Sequence, residues 1–213
     1  MSVPWQSARH GRGVLLLRGE PDQVARWAAR GLVASHVVAL PSWTAVVPAE
    51  PVSRALAPYD DALTVLASRP VAHRLRAAVG LFAIDGRAIV TVQGEGWRAV
   101  QRWLVWEPGR GLSRPPGLRP ARPGDLVAAA RAGARGIGPE LTALLRDPGG
   151  DALGLLSDLM SVLGLPGAQL LTDAVPGGPA GTTVEPDDRV VARFDALMLE
   201  EARHRAEQEE ESP

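Results

Sequence analysis

The chain has no cysteine, no lysine and no asparagine among its 213 residues. Without cysteine there is no disulfide, no thiolate zinc site, no iron–sulfur cluster and no thiol nucleophile. Without lysine there is no Schiff base and no Walker-type phosphate lysine, so the basic residues are arginines and histidines. Phenylalanine and tyrosine are also scarce, at 2 and 1 against 6 Trp. Lys, Asn, Ile, Phe and Tyr, which need AT-rich codons, are scarce or missing, and Ala, Arg, Gly and Pro abound. This composition predicts a GC-rich bacterial genome. No apolar run approaches the roughly 18 residues of a membrane span. Val14 to Leu17 is too short for the apolar core of a secretion signal and is followed by Arg18. A cytoplasmic protein without membrane contact is expected.

What is present is enough for a sizeable core: 46% of the residues are hydrophobic. The net charge of −1 conceals a division. Residues 1–135 hold 18 Arg against 9 acids, and residues 136–213 hold 5 Arg against 15 acids. Such asymmetry fits either a nucleic-acid face with an acidic tail or two halves that pack and neutralise each other. The second is preferred here.

The first elements follow from apolar periodicity. "GVLLLRG" (13–19) reads as a strand buried on both faces. "EPDQVARWAARG" (20–31) reads as a helix with Val24, Trp27 and Ala28 on one face and Gly31 as its left-handed stop. Hairpins are expected around Pro41-Ser42 and Asp85-Gly86, the latter a type I′ signal. Residues 51–68 read as helical but broken at Pro58. Asp60 and Asp61 suit a helix N-terminus. "WRAVQRWLVW" (97–106) begins helically. Residues 108–124 are rich in Arg, Pro and Gly and read as a linker or arm. Helices are expected near 125–132, 139–146 and 151–164, and a last one from about Asp188 with a stripe of Val190, Val191, Phe194, Leu197 and Met198.

Two stretches resemble each other. "GRGVLLLRGEPDQVARW" (11–27) and "GRAIVTVQGEGWRAVQRW" (86–103) share Gly-Arg, an apolar strand, Gly-Glu and a closing Val-x-Arg-Trp, at an initial offset of 75 residues. A duplicated strand–turn–helix unit is the expectation, with Trp27 and Trp103 in equivalent places. This weighs against a dinucleotide site at Gly94-Glu95-Gly96. The first stretch has Pro21 where the second glycine would stand, the strand is a hairpin arm, and position 114 is Arg where an acid is wanted. No cofactor is assigned.

Other chemistry is thin. No two of His10, His36, His73 and His204 have metal-ligand spacing. Glu200, Glu201 and His204 share a helix face but lie among charges beyond the apolar stripe, so no metal is assigned. His36 lacks a recognisable nucleophile partner, and no nucleophile elbow is present. No catalytic residue is assigned.

The reading is an α+β fold: an antiparallel-rich sheet with helices on one face, in ferredoxin-like βαββ units with an internal duplication, then a helical C-terminal part. The expected divisions are 1–107, the arm 108–124, and 125–213 ending in an acidic helix. The function expected is a non-catalytic binding or adaptor protein working through contacts with a protein partner or with itself. Its candidate contact residues are Trp97, Arg98, Trp106, Phe194, Leu197 and Met198. The alternative is a nucleic-acid-associated protein using Arg110, Arg114, Arg119 and Arg122. A third is an enzyme with an Asp/Glu site that the sequence does not reveal.

Overall fold

A computed structural model describes residues 11–96, 98–133, 136–172 and 181–210. Eight strands make one antiparallel sheet: β1 (Arg12–Leu17), β2 (Ser35–Leu40), β3 (Trp43–Pro48), β4 (Ala78–Ile84), β5 (Arg87–Gln93), β6 (Arg102–Glu107), β7 (Gly111–Ser113) and β8 (Gly181–Val184). Their order is β7-β6-β5-β4-β1-β3-β2-β8. Together with seven helices among the described residues, this is a mixed α+β fold.

The central strands explain why the sheet is covered twice. In β1, Val14 and Leu16 enter one core, while Leu15 and Leu17 enter the other. β4 is buried along its full length. Continuously apolar strands leave no face that water can wet. One face is covered by α1 (Pro21–Ala29) and α2 (Ala62–Ser68), which bring in Val24, Trp27, Leu63 and Leu66. The opposite face is covered by α3 (Pro123–Ala130), α4 (Ile137–Arg146), α5 (Ala152–Leu163) and α6 (Gln169–Thr172), through Leu126, Leu141, Leu145, Leu156, Leu159 and Met160. α1 and α2, the helices of the N-terminal part, thus lie on one face, while α3–α6, expected in a separate helical part, cover the other and share a core with the sheet.

Local signals set several of these elements. Asp85 and Gly86 both take positive φ, 50° and 72°, which closes the β4–β5 hairpin as a type I′ turn requires. The Asp61 carboxylate accepts from the Thr64 amide at 2.6 Å and starts α2. The Asp151 carboxylate accepts from the Gly154 amide at 2.9 Å and starts α5, which Gly164 ends in the left-handed conformation. Gly31 plays no such part for α1. There the Arg69 guanidinium donates to the carbonyls of Trp27 and Ala28.

Two other expectations change. Residues 102–107 are the strand β6, where a helix was expected, so 13–31 and 88–104 share a strand but not the helix after it. The physical reason is that Trp103, Leu104, Val105 and Trp106 supply apolar surface to both sides, which suits a strand inside a two-sided sheet better than a helix with one dry face. The 108–124 segment lies along the outer edge of β6. It contributes β7 and then pairs again at Trp103, whose amide donates to the Arg119 carbonyl at 2.8 Å.

Candidate functional site

The last helix, α7 (Asp188–Glu210), starts beside the β8 edge. The Asp187 amide donates to the Ala29 carbonyl at 2.8 Å, which anchors its start at the end of α1. The 51–60 loop then meets its flank. Tyr59 and Phe194 contact edge-to-face with centroids 5.1 Å apart. The Leu56 amide donates to the Asp195 carboxylate at 3.1 Å, and Arg54 pairs with Glu185 at 2.9 Å. The loop is itself braced by the Ser53 hydroxyl, which donates to the Tyr59 carbonyl.

This docking is incomplete. Phe194 and Met198 are half-buried, but Leu197 and Leu199 are 50% and 53% exposed. Across the contact, Val52 and Leu56 are 54% and 60% exposed. From Glu200 onward the described side chains of α7 are exposed. Val52 and Leu56 of the loop and Leu197 and Leu199 of α7 therefore leave apolar surface in water.

The remaining candidate residues fall elsewhere. Trp97 lies outside the described residues. Arg98 is exposed in the turn between β5 and β6. Trp106 is withdrawn from the candidate contact set: it is fully buried, and its Nε1 donates to the Asp147 carbonyl at 3.0 Å. As a β6 residue directed at α3–α5, it has no face left for a partner. Arg110, Arg114, Arg119 and Arg122 are exposed along the β6–β7 edge. Arg110 approaches Glu107 at 3.5 Å, while Arg114, Arg119 and Arg122 have no charged partner among the described residues.

The two oppositely charged halves neutralise each other little. Arg54–Glu185 joins them, but Arg87–Glu107, Arg102–Asp125, Arg110–Glu107 and Arg131–Glu95 pair inside the basic half. For α7 the topology explains this: it is rooted at the β8 edge, and the Arg-rich segment follows β6 and β7 at the opposite edge.

Two arginines missed by the sequence reading are fixed against tryptophans. Arg18 sits 3.9 Å from the Trp43 ring centroid and donates to the carbonyls of Ser42 and Ala130. Burial is the first cause lowering its pKa, and the nearby Arg131 charge is the second. Arg69 sits 3.7 Å from the Trp27 ring centroid, and burial lowers its pKa to about 10. It stays charged at neutral pH, held by the carbonyl end of α1. Nothing in the local sequence marks either pair, because the partners lie 25 and 42 positions apart.

Acid–base chemistry finds little support in this arrangement. His36 Nδ1 and the Thr183 hydroxyl share a hydrogen bond at 3.1 Å across β2 and β8. No acidic side chain completes that pair among the described contacts. Among the described residues, no group of three His, Asp or Glu side chains is placed to hold a metal ion. No described helix is long and apolar enough to cross a membrane.

Known proteins do not supply an assignment. No family model, curated protein or solved structure matches the chain.

Proposed function

We propose that the chain is a cytoplasmic binding or adaptor protein that acts through protein–protein contact and carries no catalysis of its own. The observation that carries this reading is the apolar surface of Val52, Leu56, Leu197 and Leu199 where the 51–60 loop meets α7. Exposed apolar side chains on two segments that touch each other are what a partner's side chains cover. Among the residues expected to make contact on α7, Leu197 is exposed and Phe194 and Met198 are half-buried. The scaffold reading is a ferredoxin-like βαββαβ unit over 12–84. It is supported by the order β4-β1-β3-β2 and by α1 and α2 sharing one face.

The test is site-specific photo-crosslinking in the native host. A photoreactive residue at Leu56, Leu197 or Leu199 is expected to give a discrete adduct, and one at Arg26 none. The purified partner is then expected to bind the native chain and to lose at least about tenfold in affinity to Leu197→Asp, as for an interface anchor. Absence of a discrete adduct at all three leucines defeats the reading.

A second reading, nucleic-acid contact, is favoured by the exposed Arg114, Arg119 and Arg122, whose side chains have no charged partner among the described residues. It requires binding of duplex DNA or RNA at about 50 mM salt with a steep salt dependence, because each neutralised phosphate releases counterions. Replacing Arg110, Arg114, Arg119 and Arg122 with Ala is expected to flatten that slope. Flat titrations of the native chain exclude this reading.

A further inference from the structure

The β6–β7 turn and the end of α4 form one corner. The Gly109 amide donates to the Pro148 carbonyl at 2.8 Å, and Trp106 Nε1 donates to the Asp147 carbonyl at 3.0 Å. On one side of this corner, α4 and α5 leave a groove of about 530 Å³. Leu144 and Val162 are its half-buried apolar residues, and Glu140, Asp147 and Asp158 give it negative charge. No basic side chain lines it. The carboxylates of Glu140 and Asp158 have no partner among the described residues. Beside it, Arg110 and Arg114 are exposed at the sheet edge, with the Arg110 side chain 82% exposed. Between them in sequence, Leu112 is 47% exposed, paired in register with the buried Trp106. Paired residues in adjacent strands point to the same face of the sheet, so Leu112 is on the α4–α5 side.

We propose that this corner is a two-fold interface with a second copy of the chain, in which Arg110, Leu112 and Arg114 of each protomer engage the acidic groove of the other. An isologous contact needs a surface that complements itself, with each element meeting its opposite across the axis. Here a basic edge, an exposed leucine and an acidic, apolar-lined groove stand side by side. The charges are not spent internally: Arg114, Glu140 and Asp158 have no described partner, and Arg110 has an exposed contact at 3.5 Å. The proposal is independent of the α7 surface, which lies by the opposite sheet edge.

Charge swapping tests it. A contact dominated by charges and a few apolar side chains is weak, so sedimentation is followed up to about 0.2 mM chain. The native chain is expected to approach twice its mass of 22.5 kDa at about 50 mM salt and to dissociate at about 0.5 M. Arg110→Glu/Arg114→Glu and Glu140→Arg/Asp158→Arg are each expected to be monomers with an unchanged melting temperature. Mixed one to one they are expected to form a heterodimer, and the four changes in one chain to restore the homodimer. Leu112→Glu is an independent break that leaves these charges in place.

A native chain that stays monomeric overturns the proposal. So does a dimer that survives both charge variants, or monomeric variants that do not reassociate on mixing. A monomer that instead binds a duplex of 20 base pairs through Arg110 and Arg114 assigns the basic edge to nucleic acid and equally overturns it. None of these outcomes bears on adducts at Leu56, Leu197 or Leu199, so this inference and the adaptor reading fail separately.

Discussion

Arg69 holds the end of α1 through Trp27 twice: its guanidinium carbon lies 3.7 Å from the ring centroid, and Nη2 donates to the same residue's carbonyl. A second nitrogen reaches the Ala28 carbonyl. A helix end ordinarily leaves such carbonyls to solvent or to a left-handed glycine. Here they accept from the Arg30 and Gly31 amides, and a residue from the end of α2 adds charged donors to both and ties the two helices together on one face of the sheet.

Arg69→Met is therefore expected to cost about 2–3 kcal/mol of stability, because buried carbonyls lose charged donors. Arg69→Lys is expected to recover less than half of that, since an ammonium lacks the planar fork that reaches two carbonyls while covering a ring. Urea denaturation of both variants measures the difference. Equal stability of the Met variant and the native chain would show that the contact contributes nothing net.

Trp106 separates packing from hydrogen bonding in the second core. Trp106→Phe keeps much of the ring but removes the donor to the Asp147 carbonyl, and about 1–2 kcal/mol is expected. Trp106→Ala empties a fully buried site and is expected to cost about 3–5 kcal/mol. Both are read from chemical denaturation followed by far-UV circular dichroism. A Phe variant as damaged as the Ala variant would place the whole effect in the indole N–H.

Phe194→Asp removes the edge-to-face contact with Tyr59 on which α7 leans. Because α7 lies outside both main clusters of buried residues, the global cost is expected to be only about 1 kcal/mol. Amide exchange of 188–199 is expected to accelerate while β1 and β4 remain protected. The chain mass at about 0.5 M salt, where screening is strong, is expected not to change. Unaltered protection of α7 would mean that its anchorage comes from Asp187, Glu185 and Asp195.

Asp61→Ala removes the N-cap of α2 and is expected to cost about 1 kcal/mol, with Asp61→Ser recovering most of it. Thermal unfolding of the pair distinguishes the cap from the charge, because serine can cap without carrying one.

Much of this fold was legible locally. The β4–β5 hairpin is written in Asp85-Gly86, the start of α2 in Asp61 and the end of α5 in Gly164, since each is a backbone requirement met within four residues. The stripe of α7 was legible for the same reason: one helical period decides which side chains align. The strand at 102–107 was not, because Trp103 and Trp106, three apart, share a helical face as readily as they fall on the two faces of a strand buried on both sides. Only the presence of β5 beside it selects the strand. For the candidate surfaces, the sequence named Leu197 and the four arginines. It also named Trp106, which a core residue's apolarity cannot distinguish from a contact residue's. It missed Leu56, Leu112, Glu140 and Asp158, whose significance depends on neighbours far away in the chain.

The sequence by itself determined the chemistry: arginine as the only permanent cation on a side chain, no thiol chemistry, apolar strands too continuous to be wetted, and charge divided between two halves. Only the tertiary structure decided where those properties act. It placed helices on both faces of the sheet, because Leu15 and Leu16 point opposite ways and each needs cover. It also set the Arg-rich segment and α7 at opposite edges of eight strands, where they cannot neutralise each other. Strand order is fixed by pairing between residues distant in the chain, and no local periodicity encodes it.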